Sequence, residues 1–490
     1  MKQTGRLYTL LLSGSAAALA MATPAQADDL RDALVSAYNT NPTIEQARAD
    51  QRGVDEGVPI ARAQALPSAT MTATHIEFVR RSANAFTAPE RNLGINAQVL
   101  VPVYSGGAIK NNIRAAEERV QAGRAQLRNA ESILFTQVVV AYMDVLLREA
   151  LVALASNQVD VLGVNVEATS DRFEIGDLTR TDVAQSQSRL AQAQGDVLTA
   201  EANLIGARET YIQLVGKAPG DLDAPPPLQG MPASSSEALA IALENNPALI
   251  ATKEAAEAAG FDTTVAGAGR KPSVSVFANA DYSNFYGTLG GPISQDFSQA
   301  ETTANVGVRV TFPLFQGGLP AARERQASAR ETSALEQIVE TERETIRAVR
   351  ATYANWRNAD AAIVTAQKAV EAAEVSLEGV RAGNSIGNRT ILDVLNAEQE
   401  LLSARAQVVT ARRNAYVAGF NLLALMGRAE ARDLNLDTGG PLYDPEVNYN
   451  KVRNNIWDWD RAEKAEANST RTVDIPPADA TFGPSLTPDD

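Results

Sequence analysis

The sequence predicts a mixed fold of four membrane-type β-strands and very long, coiled-coil-like α-helices, built as two tandem copies of one unit. Three observations lead to this prediction. An opening motif recurs 205 positions later in the chain. Apolar residues at heptad spacing run through segments of about 70 residues, and four segments of about ten residues alternate between apolar and polar side chains.

The N-terminus has the pattern of a secretory signal peptide. Lys2 and Arg6 precede an apolar stretch over residues 7–22, and Ala25-Gln26-Ala27 has the A-x-A form of a cleavage site. The alternative is a membrane anchor, for which the apolar stretch is short. We therefore predict that residues 1–27 are a signal peptide and that the protein is exported.

Composition excludes several classes of site. The 490-residue chain has no cysteine, one histidine and a net charge of −15. Without cysteine there are no disulfides, thiolate metal sites or lipid-modified cysteines, and one histidine argues against a histidine-rich zinc site. An acidic balance opposes phosphate binding, so nucleic acid is not an expected partner. We expect no cofactor and no metal.

Two copies of one unit fill most of the chain. Residues 33–42 (ALVSAYNTNP) recur as residues 238–247 (ALAIALENNP). Residues 101–107 (VPVYSGG) match residues 312–318 (FPLFQGG), after an insertion of six residues between the two strands of the second copy. Self-similarity on this scale indicates a duplicated structural unit.

Each unit has the same predicted parts: a short helix, a strand pair, and a hairpin of one long outgoing limb and one shorter return limb. The outgoing limb spans roughly 105 Å, the return limb roughly 57 Å and a short helix roughly 50 Å. We therefore expect end-to-end stacking, with the first return limb on the short helix of repeat 2 and the C-terminal return limb on that of repeat 1. The predicted segments are repeat 1 at 28–217 (short helix 29–65, strand pair 67–104, hairpin 106–215 with limbs 106–175 and 179–215), a linker at 218–235, repeat 2 at 236–435 (short helix 236–269, strand pair 272–315, hairpin 317–427 with limbs 317–386 and 390–427) and an acidic, partly disordered tail at 436–490.

The limbs carry sustained apolar heptads. Such a repeat keeps one apolar seam facing a partner helix, and its length exceeds that of ordinary core helices. We therefore expect each limb to pack along a partner helix. The heptad positions are Val138, Val145, Val152, Val159, Val166 and Phe173; Val349, Trp356, Ile363, Val370 and Leu377; Val183, Leu190, Val197, Leu204 and Tyr211; and Val394, Leu401, Val408, Ala415 and Leu422.

Four segments, at 68–79, 92–101, 273–282 and 302–312, alternate between an apolar and a polar face. This pattern is typical of outer-membrane strands over a wet lumen, although a soluble half-buried sheet alternates in the same way. The signal peptide and limbs of roughly 100 Å favour the membrane. His75, in the first segment, is expected to face the pore or the membrane interface.

A chain with four such strands must oligomerise if it spans a membrane, because lipid-exposed sheet edges are not tolerated. Three chains would supply twelve strands around a water-filled lumen. Proline is expected where helix meets strand, and aromatic residues near the strand ends are candidates for girdles at the membrane surface. These residues are Pro67, Pro102, Pro272 and Pro313, and Phe78, Phe86, Tyr104, Phe285, Tyr286, Phe297 and Phe315.

These motifs, together with residues 387–397 (GNRTILDVLNA), resemble the TolC outer-membrane efflux family over residues 28 to 435. The resemblance implies a homotrimer with a 12-stranded barrel in the outer membrane above a long α-helical barrel in the periplasm. It also implies a periplasmic adaptor (membrane fusion) protein and an inner-membrane transporter or ABC secretion ATPase as partners. The expected function is a passive exit duct for small-molecule efflux, type I protein secretion or both.

The resemblance also implies two sets of site residues. The hairpin turns would contact the adaptor at the tunnel tip, although glycine reversing the chain is by itself a sufficient structural role. Glu378 would narrow the tunnel entrance as part of an acidic ring, and Arg381 would neutralise it or form an i,i+3 pair with it. The turn residues are Ile175, Gly176, Asp177 and Leu178, and Ile386, Gly387, Asn388 and Arg389.

The alternative to a channel is a periplasmic coiled-coil adaptor or scaffold without a pore. An enzyme is not expected. Residues 383–387 (GNSIG) fit the G-x-S-x-G pattern of a hydrolase nucleophile, but they lie between two predicted helices, and His75 is in the other repeat. The tail is expected to be extended, with its first part packed around the helices and its last 25 or so residues disordered.

Overall fold

The computed structural model describes residues 29–80, 89–462 and 464–477. The predicted signal peptide, Phe86 and residues 478–490 lie outside this part of the chain. No helix within it is both long and apolar enough to cross a membrane.

In chain order the elements are α1 (Leu30–Thr40), α2 (Pro42–Asp55), α3 (Gly57–Ala63), β1 (Ser68–Glu77), β2 (Arg91–Tyr104), α4 (Ala108–Glu174), α5 (Arg180–Val215), α6 (Ser235–Asn245), α7 (Pro247–Gly267), β3 (Ser273–Asn284), β4 (Ala300–Thr311), α8 (Leu319–Ser385), α9 (Ile391–Leu425) and α10 (Pro445–Val452).

The four strands form one antiparallel sheet in the order β1-β2-β3-β4. The β2–β3 pair joins the two repeats, although the whole first hairpin separates these strands in sequence. Pro102 was predicted at a helix–strand joint, but β2 continues through it to Tyr104, with a register shift between these two residues. Proline lacks the N–H that a regular ladder needs, so it is accommodated at this irregularity.

The short helices are not continuous, which corrects the prediction of single helices over 29–65 and 236–269. The first is divided into α1, α2 and α3, and the second into α6 and α7. Asn41 and Asn246 have extended backbone at the breaks, and the proline after each is the first residue of the next helix. The Asn-Pro dipeptide is therefore an N-cap followed by proline at N1, where its missing N–H costs nothing.

Each of these asparagines joins two helix ends. The Asn41 Oδ1 accepts from the Thr43 N–H at 2.8 Å, while its Nδ2 donates to the Leu214 carbonyl at 2.9 Å, near the end of α5. In repeat 2, Asn246 accepts from the Leu249 N–H at 3.1 Å and donates to the Leu425 carbonyl at 3.0 Å. One side chain thus satisfies an orphan donor of one helix and an orphan acceptor of another.

These bonds correct the predicted stacking. Each return limb abuts the short helix of its own repeat: α5 meets the start of α2, and α9 meets the start of α7. Length alone could not choose between the two arrangements, because both short helices have similar lengths. The observed arrangement places a positive helix N-terminus at a negative C-terminus, which the helix dipoles favour.

The stacked helices pack beside the long ones. Helix α4 contacts α5, α2 and α3 on one side and α9 and α7 on the other, and α8 covers α7 and α9. The largest core lies where α1, α4, α5 and α9 meet, and Phe135, Tyr142 and Tyr211 are fully buried there. Heptad positions are buried or half-buried along the limbs, while Phe173 is exposed at the far end.

The chain beyond α9 is fixed to the outside of α4. Buried Glu430 accepts from the Arg128 guanidinium at 2.7 Å, and Glu131 accepts from the Ala431 N–H at 2.5 Å. Burial raises the pKa of Glu131 to about 7 despite this hydrogen bond. Helix α10 then packs on α2, which agrees with the expectation that the first part of the tail lies against the helices.

Replacing Asn41 by alanine should lower the free energy of unfolding by about 2 kcal/mol, because the helix loses its cap and the Leu214 carbonyl loses its partner. Asn41→Asp keeps the cap oxygen but sets a carboxylate against the Leu214 carbonyl, so it should destabilise the protein as well. The exposed Asn39, whose amide lies 3.5 Å from the Thr438 carbonyl, supplies the matched control Asn39→Ala. Denaturant unfolding of the detergent-purified chain measures these changes, and equal losses at both positions would disprove the double role.

Candidate functional site

The two hairpin turns have the same backbone structure. Gly176 and Gly387 follow the long helices with φ of 82° and 81°, in the left-handed region. The Asp177 N–H donates to the Arg172 carbonyl, and the Asn388 N–H donates to the Gly383 carbonyl, both at 2.9 Å. These bonds reach back five positions and form a Schellman motif, which requires a residue in the left-handed conformation.

A capping box starts the return limb after each turn. Thr179 and Asp182 exchange side-chain and backbone hydrogen bonds, and Thr390 and Asp393 do the same. The Thr179 hydroxyl, and then its N–H, lower the pKa of Asp182; the Thr390 N–H, and then its hydroxyl, lower the pKa of Asp393. The T-x-x-D spacing signals this motif in the sequence, but the sequence analysis did not identify it.

The turns expose apolar side chains at the far end of the molecule from the sheet. Ile175 is 80% exposed and Ile386 is 71% exposed, whereas Leu178 is half-buried. Asp177 is fixed by an ion pair with Arg172 at 2.7 Å. In the second turn the Asn384 amide donates to the Arg389 carbonyl at 2.9 Å. Each turn is therefore a rigid loop that presents one isoleucine to solvent.

Polar contacts join the two hairpins near the turns. The Arg172 guanidinium donates to the Asn384 side chain at 3.3 Å. Further along, the buried Glu398 carboxylate accepts from the Asn165 amide with both oxygens, each at 2.9 Å, and from Arg381 at 3.0 Å. Glu398 thus connects α4, α8 and α9. Because its carboxylate is buried, loss of either partner would leave its charge poorly compensated and destabilise this junction.

The pairing of Arg381 differs from both alternatives in the sequence analysis. Its guanidinium forms an ion pair with Glu398, whereas Glu378 stays exposed on the surface of α8. The i,i+3 spacing suggested a pair with Glu378, but a buried carboxylate on the neighbouring helix is the stronger partner. Neither Glu398 nor Asn165 was found from sequence, because nothing in their local pattern signals a contact across helices.

The sheet register sorts apolar and polar residues onto opposite faces. Val99, Ala278 and Val306 are aligned across β2, β3 and β4. On the other face the Asn96 amide donates to Asp281 at 2.6 Å. Each row is therefore continuous across strands from both repeats, as a sheet between lipid and water requires.

The register also places His75 and the aromatic residues. His75 pairs with Leu93, so it lies on the apolar face and not on the polar one, and its ring is 6.0 Å from that of Tyr286. Of the two positions expected for His75, this placement supports the membrane interface and not the pore. Among the described aromatic residues at the strand ends, Phe78, Tyr104, Tyr286, Phe297 and Phe315 are exposed.

One group of carboxylates is close enough to share a cation. Oxygens of Glu118 on α4 and of Glu254 and Glu257 on α7 lie within 4.8 Å of one another. Burial, followed by a side-chain hydrogen bond between Glu118 and Glu254, raises the pKa of Glu118. A shared proton therefore relieves the repulsion between these groups.

Alanine at Gly387 should destabilise the protein by about 1–2 kcal/mol, because a side chain disfavours the left-handed backbone. Gly379 offers the matched control: it lies in helix α8, and like Gly387 it has open space around it. Gly379→Ala should stabilise the helix by up to about 1 kcal/mol. Unfolding midpoints measure both changes, and the same sign for the two variants would contradict this account of the turn.

Comparisons with known proteins identify the family. A model of the outer membrane efflux protein family matches residues 33–217 and 238–428. The outer membrane efflux protein BepC of Brucella suis is 31% identical over 88% of this chain and 91% of its own. The alkaline protease secretion protein AprF of Pseudomonas aeruginosa is 28% identical over 64% of this chain and 65% of its own.

The fold agrees with this assignment. The crystal structure of the CmeC outer membrane channel of Campylobacter jejuni has a TM-score of 0.72 to this chain, covering 88% of it and 90% of CmeC at 14% identity. The matched regions contain both strand pairs and both helical hairpins. The chain therefore belongs to the outer membrane efflux protein family, and it is a channel protein of the outer membrane whose helical part extends into the periplasm.

Proposed function

We propose that three copies of the chain form a channel of twelve strands and a helical tunnel, which serves as a passive exit duct. The observation that carries this proposal is the four-stranded sheet with β1 and β4 at its edges. The backbone groups of these edges require partners inside a membrane, and β1 of one copy can pair with β4 of the next. The aligned polar rows would then line a wet lumen.

The cargo is proposed to be small molecules, with protein secretion as the second candidate. Greater similarity to BepC, an efflux protein by name, favours small molecules, while AprF is a protease secretion protein. Energy would be supplied at the inner membrane by a transporter or an ABC secretion ATPase. No catalytic step is assigned to the chain: Ser385 ends α8, and its hydroxyl donates to the Ala382 carbonyl at 2.8 Å.

The tip turns are proposed to dock a periplasmic adaptor. Ile175 and Ile386 are the most exposed apolar side chains of the turns, and the Schellman motifs and capping boxes hold them in fixed positions. A preformed apolar contact lowers the ordering cost of association. The remaining turn residues, Gly176, Asp177, Leu178, Gly387, Asn388 and Arg389, would shape this surface.

A pore is favoured over a periplasmic scaffold because the helices in the described part of the chain leave the apolar sheet face uncovered. Val306, Val308 and Val310 are all exposed on β4. A water-soluble scaffold would have to bury this face, whereas a membrane channel presents it to lipid. Extraction of a heat-sensitive oligomer from the outer membrane would support the channel, and recovery of a soluble species would support the scaffold.

Glu378 is proposed to help make the tunnel entrance cation-selective, because Arg381 is held by Glu398 and does not neutralise it. In planar bilayers, Glu378→Gln should lower the ratio of cation to anion permeability. Glu400→Gln, an exposed glutamate on α9, is the control. An unchanged ratio for Glu378→Gln would remove Glu378 from the entrance.

Gating is proposed to be a rotation of the coiled limbs that widens the tip. Cysteines replacing Asp177 and Asn388 can link each tip to its neighbour, and the chain has no native cysteine to interfere. Oxidation that yields a covalent trimer should abolish conductance, and reduction should restore it. Each single-cysteine variant is the control, since it cannot close the ring. Full conductance through the covalent trimer would exclude this gate.

A further inference from the structure

The segment after α9 runs along the outside of α4 toward the sheet. Glu446 pairs with Arg124 at 3.1 Å, and the Tyr449 ring packs against the cluster that contains Val120. Arg62, at the end of α3, then donates to the Asn454 side chain at 2.7 Å. Arg62 also pairs with Glu117, so the segment moves from the level of residue 124 of α4 to that of residue 117.

After this point the chain turns and runs back. Asn455 and Asp460 close a compact turn through a side-chain hydrogen bond at 2.7 Å. Asn468 lies 3.4 Å from Glu45 on α2, and Thr470 lies beside Gly216 at the end of α5. The part of this C-terminal excursion closest to the sheet therefore lies between Asn454 and Asn468. Residues 455–460 begin this part, and we call them the apical turn.

The apical turn exposes a cluster of large apolar side chains. Ile456, Trp457 and Trp459 are 73%, 69% and 78% exposed. The chain has three tryptophans, and the third, Trp356, is packed against Tyr353 in the helical core. Exposed apolar clusters of this kind mark interaction surfaces, and tryptophan is enriched where a membrane meets water.

The apical turn lies near the level of the membrane surface. Glu117 lies nine residues after the first residue of α4, so Arg62 is about 14 Å from the sheet end of that helix. The headgroup layer extends about 5–7 Å beyond the hydrocarbon core on each side, and the side chains of the turn shorten the remaining gap. The apolar outer face of β4, with Val308 and Val310, begins above the same end.

Charge also fits a lipid surface. Residues 451–464 contain four lysines or arginines and three acidic residues, a net charge of +1 in a chain of net charge −15. The apical turn itself holds Asp458 and Asp460, but the four basic residues on its two sides offset this charge and can contact anionic headgroups. Tryptophan can bury its ring among lipid chains while its N–H bonds to headgroup oxygens.

We propose that the apical turn is a lipid contact that inserts Trp457 and Trp459 into the headgroup layer of the inner leaflet of the outer membrane. It would fix the height of the helical tunnel relative to the membrane, independently of the barrel strands. The occupant is phospholipid; burial of the turn against a second copy of the chain is the competing outcome of the test.

Tryptophan fluorescence tests the proposal in the full-length protein. Trp356→Phe leaves only the apical pair, and the protein is placed in lipid nanodiscs of phosphatidylethanolamine and phosphatidylglycerol. A quencher attached to the headgroup should remove most of the emission, with a smaller loss from a quencher deep in the acyl chains. Emission unaffected by either quencher, whether blue-shifted by protein contact or fully aqueous, would overturn the proposal.

Two matched variants separate this failure from a failure of the channel itself. Trp457→Phe with Trp459→Phe leaves Trp356, which should be insensitive to both quenchers. When Trp356→Phe and Val308→Trp are added to this variant, the single tryptophan lies on the apolar face of β4. The quencher in the acyl chains should then reduce its emission. Quenching at position 308 without quenching of the apical pair refutes the lipid contact alone. No quenching at either site also refutes the membrane placement of the sheet.

Discussion

The open four-stranded sheet is the constraint on which the rest of the structure depends. Its order leaves β1 and β4 at the edges, and its register aligns apolar residues on one face and polar residues on the other. In a membrane, lipid covers the apolar face, but the backbone groups of the two edges cannot all be paired within one chain. The duplication supplies two strand pairs joined through β2 and β3, and each pair leads into its own helical hairpin.

The asparagines at the helix junctions allow two shorter helices to match the length of one long helix. Asn41 and Asn246 join each return limb to the short helix of its own repeat, so that two helices run in series beside one long helix. A single helix could not do this, because the chain must leave the limb for the linker or the tail at that point. The amide side chain suits the position because it carries both a donor and an acceptor.

The periodic spacing of apolar residues predicted more of the fold than of the candidate site. Heptads such as Val138 and Val145 and the alternation around Val306 indicated the long helices and the strands, since these periods reflect the buried faces directly. The breaks at Asn41-Pro42 were missed because the repeat motif was interpreted as helix interior. The partner of Arg381 is Glu398, and such a contact depends on how helices pack, which spacing within one helix does not report.

The oligomeric state of the edge strands tests the central claim most directly. Cysteines on the same face of β1 and β4, at Thr72 and Thr303 with scanning along β4 in steps of two residues, are oxidised in outer membranes of cells that express the full chain. The account predicts disulfide-linked products that end at the trimer, because β1 of each copy lies beside β4 of the next. A soluble monomer that forms no link between copies at any register would contradict it.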